Sequence, residues 1–231
     1  MPTFVIAGAR NLGGAIADQL LAAGWQGAAV ARSDDTMEAV RARGMTGLQA
    51  DVLEPEQLAA ALREAGETLG RVDVLINAVS VAKFDPNVRW GGGDLVEADL
   101  ARYEAWGGAF GRQAFVFYAE AGRFLTGQGG PAKVVQVGNA TLVDPAPGMA
   151  IWAAGWHAVN ALATSARLEW ADAGIQVGVA RVVGPIRSPK TEQMLANVPP
   201  AIVNDQDDVA ARIAAYAAQD ELEPELVVSP R

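Results

Sequence analysis

The sequence contains no cysteine and only one histidine among its 231 residues. Without cysteine the chain forms neither disulfide bonds nor thiolate metal sites, and it has no cysteine nucleophile. A single histidine, His157, does not provide the ligand set of a structural zinc site. We therefore expect no metal.

Positive charge is also scarce, because 18 Lys and Arg face 27 Asp and Glu, for a formal net charge of −9. Binding to nucleic acid needs clustered Lys and Arg, so we expect no nucleic-acid partner.

No apolar run reaches the roughly 20 residues of a membrane helix. The N-terminus also lacks the basic and apolar regions of a secretory signal. A cytoplasmic protein without a membrane partner is expected.

What the sequence does contain is an alternation of short apolar runs with segments of helical periodicity. The predicted strands lie near Val5 and Ile6 and at 27–31, 46–50, 72–76, 133–137, 175–183 and 226–228. The first predicted helix follows the glycine turn and ends at Gly24. The others lie over 34–43, 55–69, 97–126, 150–171 and 206–219, with a loop at 80–95. Such alternation is typical of a parallel sheet with helices on both faces. We therefore predict an α/β fold, a single doubly wound Rossmann-like domain over residues 1–231 with a sheet of about seven strands.

The first strand leads into a turn that contains Ala7, Gly8, Gly13 and Gly14, and a helix follows. A strand, glycine turn and helix bring a bare helix N-terminus against a phosphate group. The N–H groups there point outward and the helix dipole favours negative charge. This stretch predicts a nucleotide site.

Further segments follow the later strands in a fixed order. They are Val30-Ala-Arg32-Ser33, Ala50-Asp51-Val52, Ile76-Asn77-Ala78-Val79-Ser80 and Val183-Gly184-Pro185-Ile186-x-Ser188. Together they resemble the short-chain dehydrogenase/reductase family over nearly the whole chain. All lie at carboxyl ends of strands, where ligands bind in open parallel sheets.

The resemblance implies a dinucleotide site. The family's Thr-Gly-x-x-x-Gly-x-Gly aligns without gaps from Ile6 to Gly13, where Ala7 and Asn11 replace two of its glycines. Asparagine tolerates left-handed backbone, so we expect a usable turn. By resemblance Asp51 hydrogen-bonds the adenine amino group, and Asn77 is the first Asn of the family's Asn-Asn-Ala-Gly. The expected cofactor contacts are Gly8, Arg10, Asn11, Leu12, Gly13, Arg32, Asp51, Val52, Asn77, Ala78, Gly184 and Ile186.

Arg32 bears on the choice of cofactor. An acidic residue at this place binds the ribose 2′-hydroxyl, whereas arginine accommodates a 2′-phosphate. Arg10 is expected to be a second cation on that phosphate. We therefore predict NADP(H), with NAD(H) as the alternative. The other interpretation is that both arginines are surface residues paired with Asp34 or Asp35.

Members of this family usually reduce a carbonyl or oxidise an alcohol with the side chains of Asn, Ser, Tyr and Lys. The resemblance implies that all four positions are substituted in this sequence. In the alignment, Asn139 occupies the position of the Ser, Trp152 that of the Tyr and Trp156 that of the Lys. The position of the family's Asn falls at or beside Gly111. An indole N–H neither accepts a hydrogen bond nor titrates in water's range. Losing general acid–base catalysis costs about 10²–10⁴ in rate. We therefore expect no ordinary carbonyl reduction and assign no catalytic residue.

Two interpretations of the tryptophans remain open. Either Asn139, Trp152 and Trp156 line a pocket for a planar ligand or the nicotinamide ring, or the indoles fill space where chemistry was lost. The tryptophans expected to flank the substrate pocket and subunit contacts are Trp90, Trp106, Trp152, Trp156 and Trp170. Other groups considered as a replacement acid are Lys83, Asp85, Tyr103, Tyr118 and His157. For His157 a partly buried helix contact is the favoured interpretation.

Three functions are compatible with these residues. The first is an NADP(H)-binding member of the family that senses the cofactor or binds a small molecule. The second is an atypical NADPH-dependent oxidoreductase that acts on an activated alkene, imine or carbonyl without a protein Tyr acid. The third is a non-catalytic partner subunit of an active relative. By analogy with the family we expect a homodimer or homotetramer.

Overall fold

A computed structural model of the chain describes residues 1–81, 91–139, 146–189 and 191–231. The strands are β1 (Thr3–Ala7), β2 (Gln26–Ala31), β3 (Thr46–Gln49), β4 (Val74–Asn77), β5 (Ala132–Asn139), β6 (Ile175–Val182), β7 (Ile186–Arg187), β8 (Asn204–Asp205) and β9 (Glu225–Val228). The α-helices are α1 (Leu12–Ala22), α2 (Asp34–Ala42), α3 (Pro55–Leu69), α4 (Leu100–Tyr103), α5 (Ala109–Gln128), α6 (Ala150–Glu169) and α7 (Gln206–Ala217).

Seven strands form one sheet in the order β3-β2-β1-β4-β5-β6-β9, and every neighbouring pair is parallel. The strand order reverses between β1 and β4, so the carboxyl ends of these two strands flank the crevice where open α/β sheets bind ligands. The predicted doubly wound α/β fold is therefore confirmed.

The sheet is covered on both faces because its central strands are apolar on both sides. Val5 and Ala7 of β1 pack into the core formed with α3, α5 and α6. Phe4 and Ile6, which alternate with them, pack into the core formed with α1, α2 and α7. This alternation is the two-residue period of a strand, and it places the binding edge between two rigid layers.

The predicted long helix over 97–126 is wrong in detail. A 3₁₀ turn at Leu95–Glu97 precedes α4, and Asp99 caps α4 by accepting a hydrogen bond from the Arg102 backbone N–H at 2.7 Å. A π-helical turn at Glu104–Gly108 then joins α4 to α5. Periodicity alone does not reveal such a turn, which adds one residue to a helix locally.

The region after β6 contains two further short strands that were not predicted. Ile186 and Arg187 pair in parallel with Asn204 and Asp205, forming a separate two-stranded sheet of β7 and β8. These strands are too short to give a sequence pattern.

Within the described residues, no helix combines the length and apolar character that a bilayer-crossing helix needs.

Candidate functional site

The turn between β1 and α1 has an unusual backbone. Gly8 has φ +89°, and Asn11 is the one non-glycine residue with positive φ in the described part of the chain. The dihedrals of Asn11, φ 45° and ψ −120°, lie outside the left-handed helical region that asparagine tolerates. Asn11 therefore stores backbone strain of the kind that clusters at functional sites.

The glycine turn packs directly on the end of β4. A Cβ on Gly8 would lie 2.7 Å from the Ala78 carbonyl oxygen and 2.9 Å from the Val79 nitrogen. A Cβ on Gly13 would lie 1.9 Å from the Gly8 carbonyl oxygen and 3.2 Å from the Ala78 Cβ. Both positions therefore require glycine, and the structure brings three of the predicted contacts, Gly8, Gly13 and Ala78, together.

Arg32 and Asp51 meet at the ends of β2 and β3. The Arg32 Nη1 lies 3.2 Å from the Asp51 Oδ2, and the Arg32 side chain is 77% exposed. The acidic partner of Arg32 among the described residues is thus Asp51 rather than Asp34 or Asp35. Such an exposed pair contributes at most about 1 kcal/mol, so it leaves the guanidinium available to a bound anion.

The remaining predicted contacts follow the ends of β1, β3 and β6. Arg10 is exposed, while Leu12 and Val52 are half-buried. Gly184 has φ +85°, and a Cβ there would lie 2.6 Å from the Ile202 carbonyl oxygen. Ile186 begins β7, whose pairing with β8 fixes the segment that leaves the sheet.

A buried network of three amides surrounds Asn77. Its Nδ2 donates to the Oε1 of Gln136 at 2.9 Å and of Gln113 at 3.2 Å, and the Gln113 Nε2 donates back to the Asn77 Oδ1 at 3.2 Å. The three residues are at most 2% exposed. Sequence reasoning missed both glutamines, although an isolated amide in the apolar run at 133–137 is a signal that could have found Gln136.

The Tyr118 hydroxyl extends this network by donating to the Gln136 Oε1 at 3.4 Å. Burial raises the pKa of Tyr118 far above its ordinary value of 10.0. The hydroxyl therefore stays protonated at neutral pH and acts as a hydrogen-bond donor to the amides.

Trp152 and Trp156 lie one turn apart on α6, within a cluster of four aromatic rings. The centroid of the Phe110 ring is 5.0 Å from that of Trp152 and 4.8 Å from that of Trp156. The Trp106 and Trp152 centroids are 5.7 Å apart. All four residues are at most 7% exposed. The Trp156 Nε1 has no hydrogen-bond acceptor among the described residues.

Close packing of two helical segments holds the cluster. A Cβ on Gly155 would lie 2.7 Å from the Gly107 carbonyl oxygen, and a Cβ on Gly107 would lie 2.6 Å from the Ile151 carbonyl oxygen. The π-helical turn and α6 therefore approach each other as only glycine allows. The Trp152 backbone N–H donates to the Gly91 carbonyl at 3.2 Å, which ties the start of α6 to the segment before the 3₁₀ turn at Leu95–Glu97.

The other residues considered for chemistry are dispersed. Asn139 ends β5 and is half-buried, as is Gly111 on α5. His157 is exposed, so its expected partly buried position is wrong. Tyr103 is 41% exposed. Lys83, Asp85 and Trp90 lie outside the described residues. No group of three or more His, Asp or Glu side chains in the described ranges is arranged to hold a metal ion.

The sequence and the fold are similar to those of known proteins. The model of the short chain dehydrogenase family matches residues 3–197. No curated protein matches the chain. Among solved structures, ElxO with NADP bound has a TM-score of 0.84 at 18% identity, covering 98% of this chain and 96% of that chain.

Two further solved structures have a similar fold. Acetoin dehydrogenase from Enterobacter cloacae has a TM-score of 0.77 at 19% identity, covering 98% of this chain and 93% of that chain. A dehydrogenase/reductase from Sinorhizobium meliloti has a TM-score of 0.76 at 20% identity, with the same coverage of 98% and 93%. At these identities the solved structures establish the fold.

Proposed function

The chain belongs to the short-chain dehydrogenase family, and from this premise we propose that it binds NADP(H) at the carboxyl ends of β1 to β4. The observation that carries the proposal is the close packing of Gly8 and Gly13 on Ala78, which holds the turn before α1 against the end of β4. A helix N-terminus at the carboxyl ends of parallel strands offers its backbone N–H groups to a dinucleotide pyrophosphate. The similarity to ElxO, whose structure contains NADP, supports the same cofactor.

The residues around this turn suit the parts of the cofactor. Arg32 and Arg10 would supply the positive charge for a 2′-phosphate, and Asp51, 3.2 Å from Arg32, would accept a hydrogen bond from the adenine amino group. Asn77 and Ala78 would support the adjacent ribose, with Gly184 and Ile186 on the nicotinamide side. When bound, NADPH supplies a hydride.

We further propose that the protein does not reduce carbonyls by the usual acid–base route. Trp152 and Trp156 are buried against Trp106 and Phe110, and an indole N–H does not transfer a proton to an alkoxide. The missing proton transfer alone lowers the rate by about 10²–10⁴. The supported role is therefore cofactor sensing, or binding of a small molecule beside the cofactor.

The cofactor proposal is tested with Arg32→Gln, using Arg63→Gln on the exposed face of α3 as a matched control. Losing a charge-assisted hydrogen bond to the 2′-phosphate should raise the Kd for NADPH about tenfold or more while leaving NADH affinity nearly unchanged. Both are measured by fluorescence titration. An NADPH affinity that is the same in both variants would contradict the assignment of Arg32.

The atypical oxidoreductase is the alternative that Asn139 favours, because it keeps a polar side chain at the end of β5. NADPH consumption with a panel of activated alkenes, imines and carbonyls distinguishes it. The leading proposal predicts no consumption. If consumption occurs and Asn139→Ala slows it, the oxidoreductase is the better account.

We also propose that a second copy of the chain covers the outer face of α5 and α6. Phe115 of α5 is 61% exposed there, and it lines a groove of about 460 Å³ together with Leu162 and Ala166 of α6. Phe115→Glu should lower the mass measured by light scattering, whereas Val96→Glu, at a position that is 96% exposed elsewhere, should not. A monomeric protein contradicts this, and assembly only with an active relative supports the partner-subunit function instead.

A further inference from the structure

The amide network at Asn77 satisfies most of its own hydrogen-bonding capacity. Gln136 donates its Nε2 to the carbonyl oxygens of Val137 at 2.8 Å and Asn77 at 3.4 Å, while its Oε1 accepts from Asn77 and Tyr118. Buried amides that lose a partner carry a desolvation penalty, so each member fixes the orientation of the others. Asn77 therefore has one side-chain orientation set from β5 and from α5.

That orientation continues into the backbone that faces the glycine turn. The Asn77 Oδ1, besides accepting from Gln113, accepts from the Val79 backbone N–H at 3.4 Å. The Ala78 N–H donates to the Ala7 carbonyl at 2.9 Å. The network thus holds the same peptide groups that lie within 3 Å of where a Cβ of Gly8 would stand.

The network also shares a helix with the aromatic cluster. Phe110 and Gln113 are three residues apart on α5, so they project from the same face of the helix. Phe110 packs on Trp152 and Trp156, and Gln113 bonds Asn77. The position of α5, fixed by the aromatic rings, thereby also fixes the Gln113 amide.

We propose that Gln113 and Gln136 are positioning residues for the dinucleotide site. Through Asn77 they hold the backbone of residues 77–79 at the separation from the glycine turn that cofactor binding needs. The proposal depends on the proposed function only in naming NADP(H) as the ligand. The effect on the backbone is independent of any ligand.

The test compares Gln113→Met and Gln136→Met with Tyr216→Phe. Methionine keeps the shape of glutamine and removes its hydrogen bonds. Tyr216 is also buried, and its hydroxyl donates to the Glu223 carbonyl oxygen away from the network. If Gln113→Met does not fold by circular dichroism, Gln113→Asn replaces it, because a shorter amide stays polar without reaching Asn77.

Two measurements separate this proposal from the proposed function. Hydrogen exchange without cofactor should accelerate at residues 8–14 and 77–81 in the glutamine variants, and stay unchanged there in Tyr216→Phe. Fluorescence titration should show the Kd for NADPH raised about tenfold in the glutamine variants alone.

The outcomes are distinct. Unchanged exchange at residues 8–14 and 77–81 in both glutamine variants overturns the positioning role, whatever the affinity. Accelerated exchange with a wild-type protein that does not bind NADPH leaves the positioning of the turn supported and overturns the proposed function. Accelerated exchange with unaltered NADPH affinity overturns the link to binding.

Discussion

At the scale of single residues, Asn11 is the position in the glycine turn where the backbone is strained. The family resemblance aligns Asn11 with a glycine, and its φ of 45° with ψ of −120° belongs to glycine-type backbone. The rest of the turn keeps this geometry through the Ala15 N–H, which donates to the Asn11 carbonyl at 3.0 Å. The strain is therefore held by the structure around it.

Asn11→Gly is expected to raise the free energy of unfolding by about 1 kcal/mol. It relieves strain of roughly 1–3 kcal/mol and is offset in part by the greater flexibility of glycine in the unfolded chain. Urea denaturation measures the change. Ala15→Gly in α1 is the control and should lose about 1 kcal/mol. A less stable Asn11→Gly protein would contradict the strain.

Tyr118 predicts how stability depends on high pH. Desolvation raises its pKa well above 10.0 in the folded protein, so the folded state retains a proton that the unfolded state releases. Its contribution is complete below about pH 10 and is lost as the pH rises further.

Tyr118→Phe should therefore flatten the alkaline decrease in stability. Near pH 11 the difference in this decrease is about 1 kcal/mol, because an unfolded tyrosine titrates near pH 10. Denaturant titrations across this range measure it. Desolvation also raises the pKa of Tyr216, so Tyr216→Phe in the same protein should flatten it further. Identical pH dependence in wild type and Tyr118→Phe would contradict the account.

At the scale of elements, glycines decide where helices approach each other. Gly155 of α6 lies against the backbone of Gly107, where a Cβ has no room. Gly111 of α5 is different, because a Cβ there would lie 3.5 Å from the Ala158 Cβ, an ordinary contact. The two positions are both helical glycines with opposite expected responses to alanine.

Gly155→Ala should lower the free energy of unfolding by about 1–3 kcal/mol, since rigid backbone must move. Gly111→Ala should raise it by about 0.5–1 kcal/mol through helix propensity. Thermal and denaturant unfolding of the two variants check both signs. A stabilised Gly155→Ala protein would mean that α6 does not pack on the π-helical turn as described.

Elements with a strong period were predictable from the sequence, and irregular ones were not. The strand predicted at 72–76 corresponds to β4 (Val74–Asn77), and the helix predicted over 55–69 coincides with α3 (Pro55–Leu69). The π-helical turn at Glu104–Gly108 depends on tertiary contact with α6, which no local pattern reports. The strands β7 and β8 depend on a long-range pairing in the same way.

The candidate site was also predictable only in part. Positions at the ends of strands, such as Asp51 and Asn77, followed from the order of segments along the chain. The partners of these residues did not, because Arg32 and Gln113 reach them from other elements. The burial of Trp152 depended on Trp106 and Phe110, whose approach requires Gly107 and Gly155.

At the scale of the whole molecule, the two ends of the chain share one core. Residues of β1 and α1 pack with residues of α7 and β9 in the same apolar cluster. This supports a single domain over residues 1–231, which predicts one cooperative unfolding transition. Tryptophan fluorescence and circular dichroism should give coincident curves. Separate midpoints would indicate two units.

We propose above all that the protein keeps its dinucleotide site while the residues for proton transfer are replaced. Calorimetric titration of the unmodified protein with NADPH tests the first half most directly. We expect one NADPH site per chain, and weaker binding of NADH because it lacks the 2′-phosphate that Arg32 would hold. No binding heat at millimolar NADPH would contradict it.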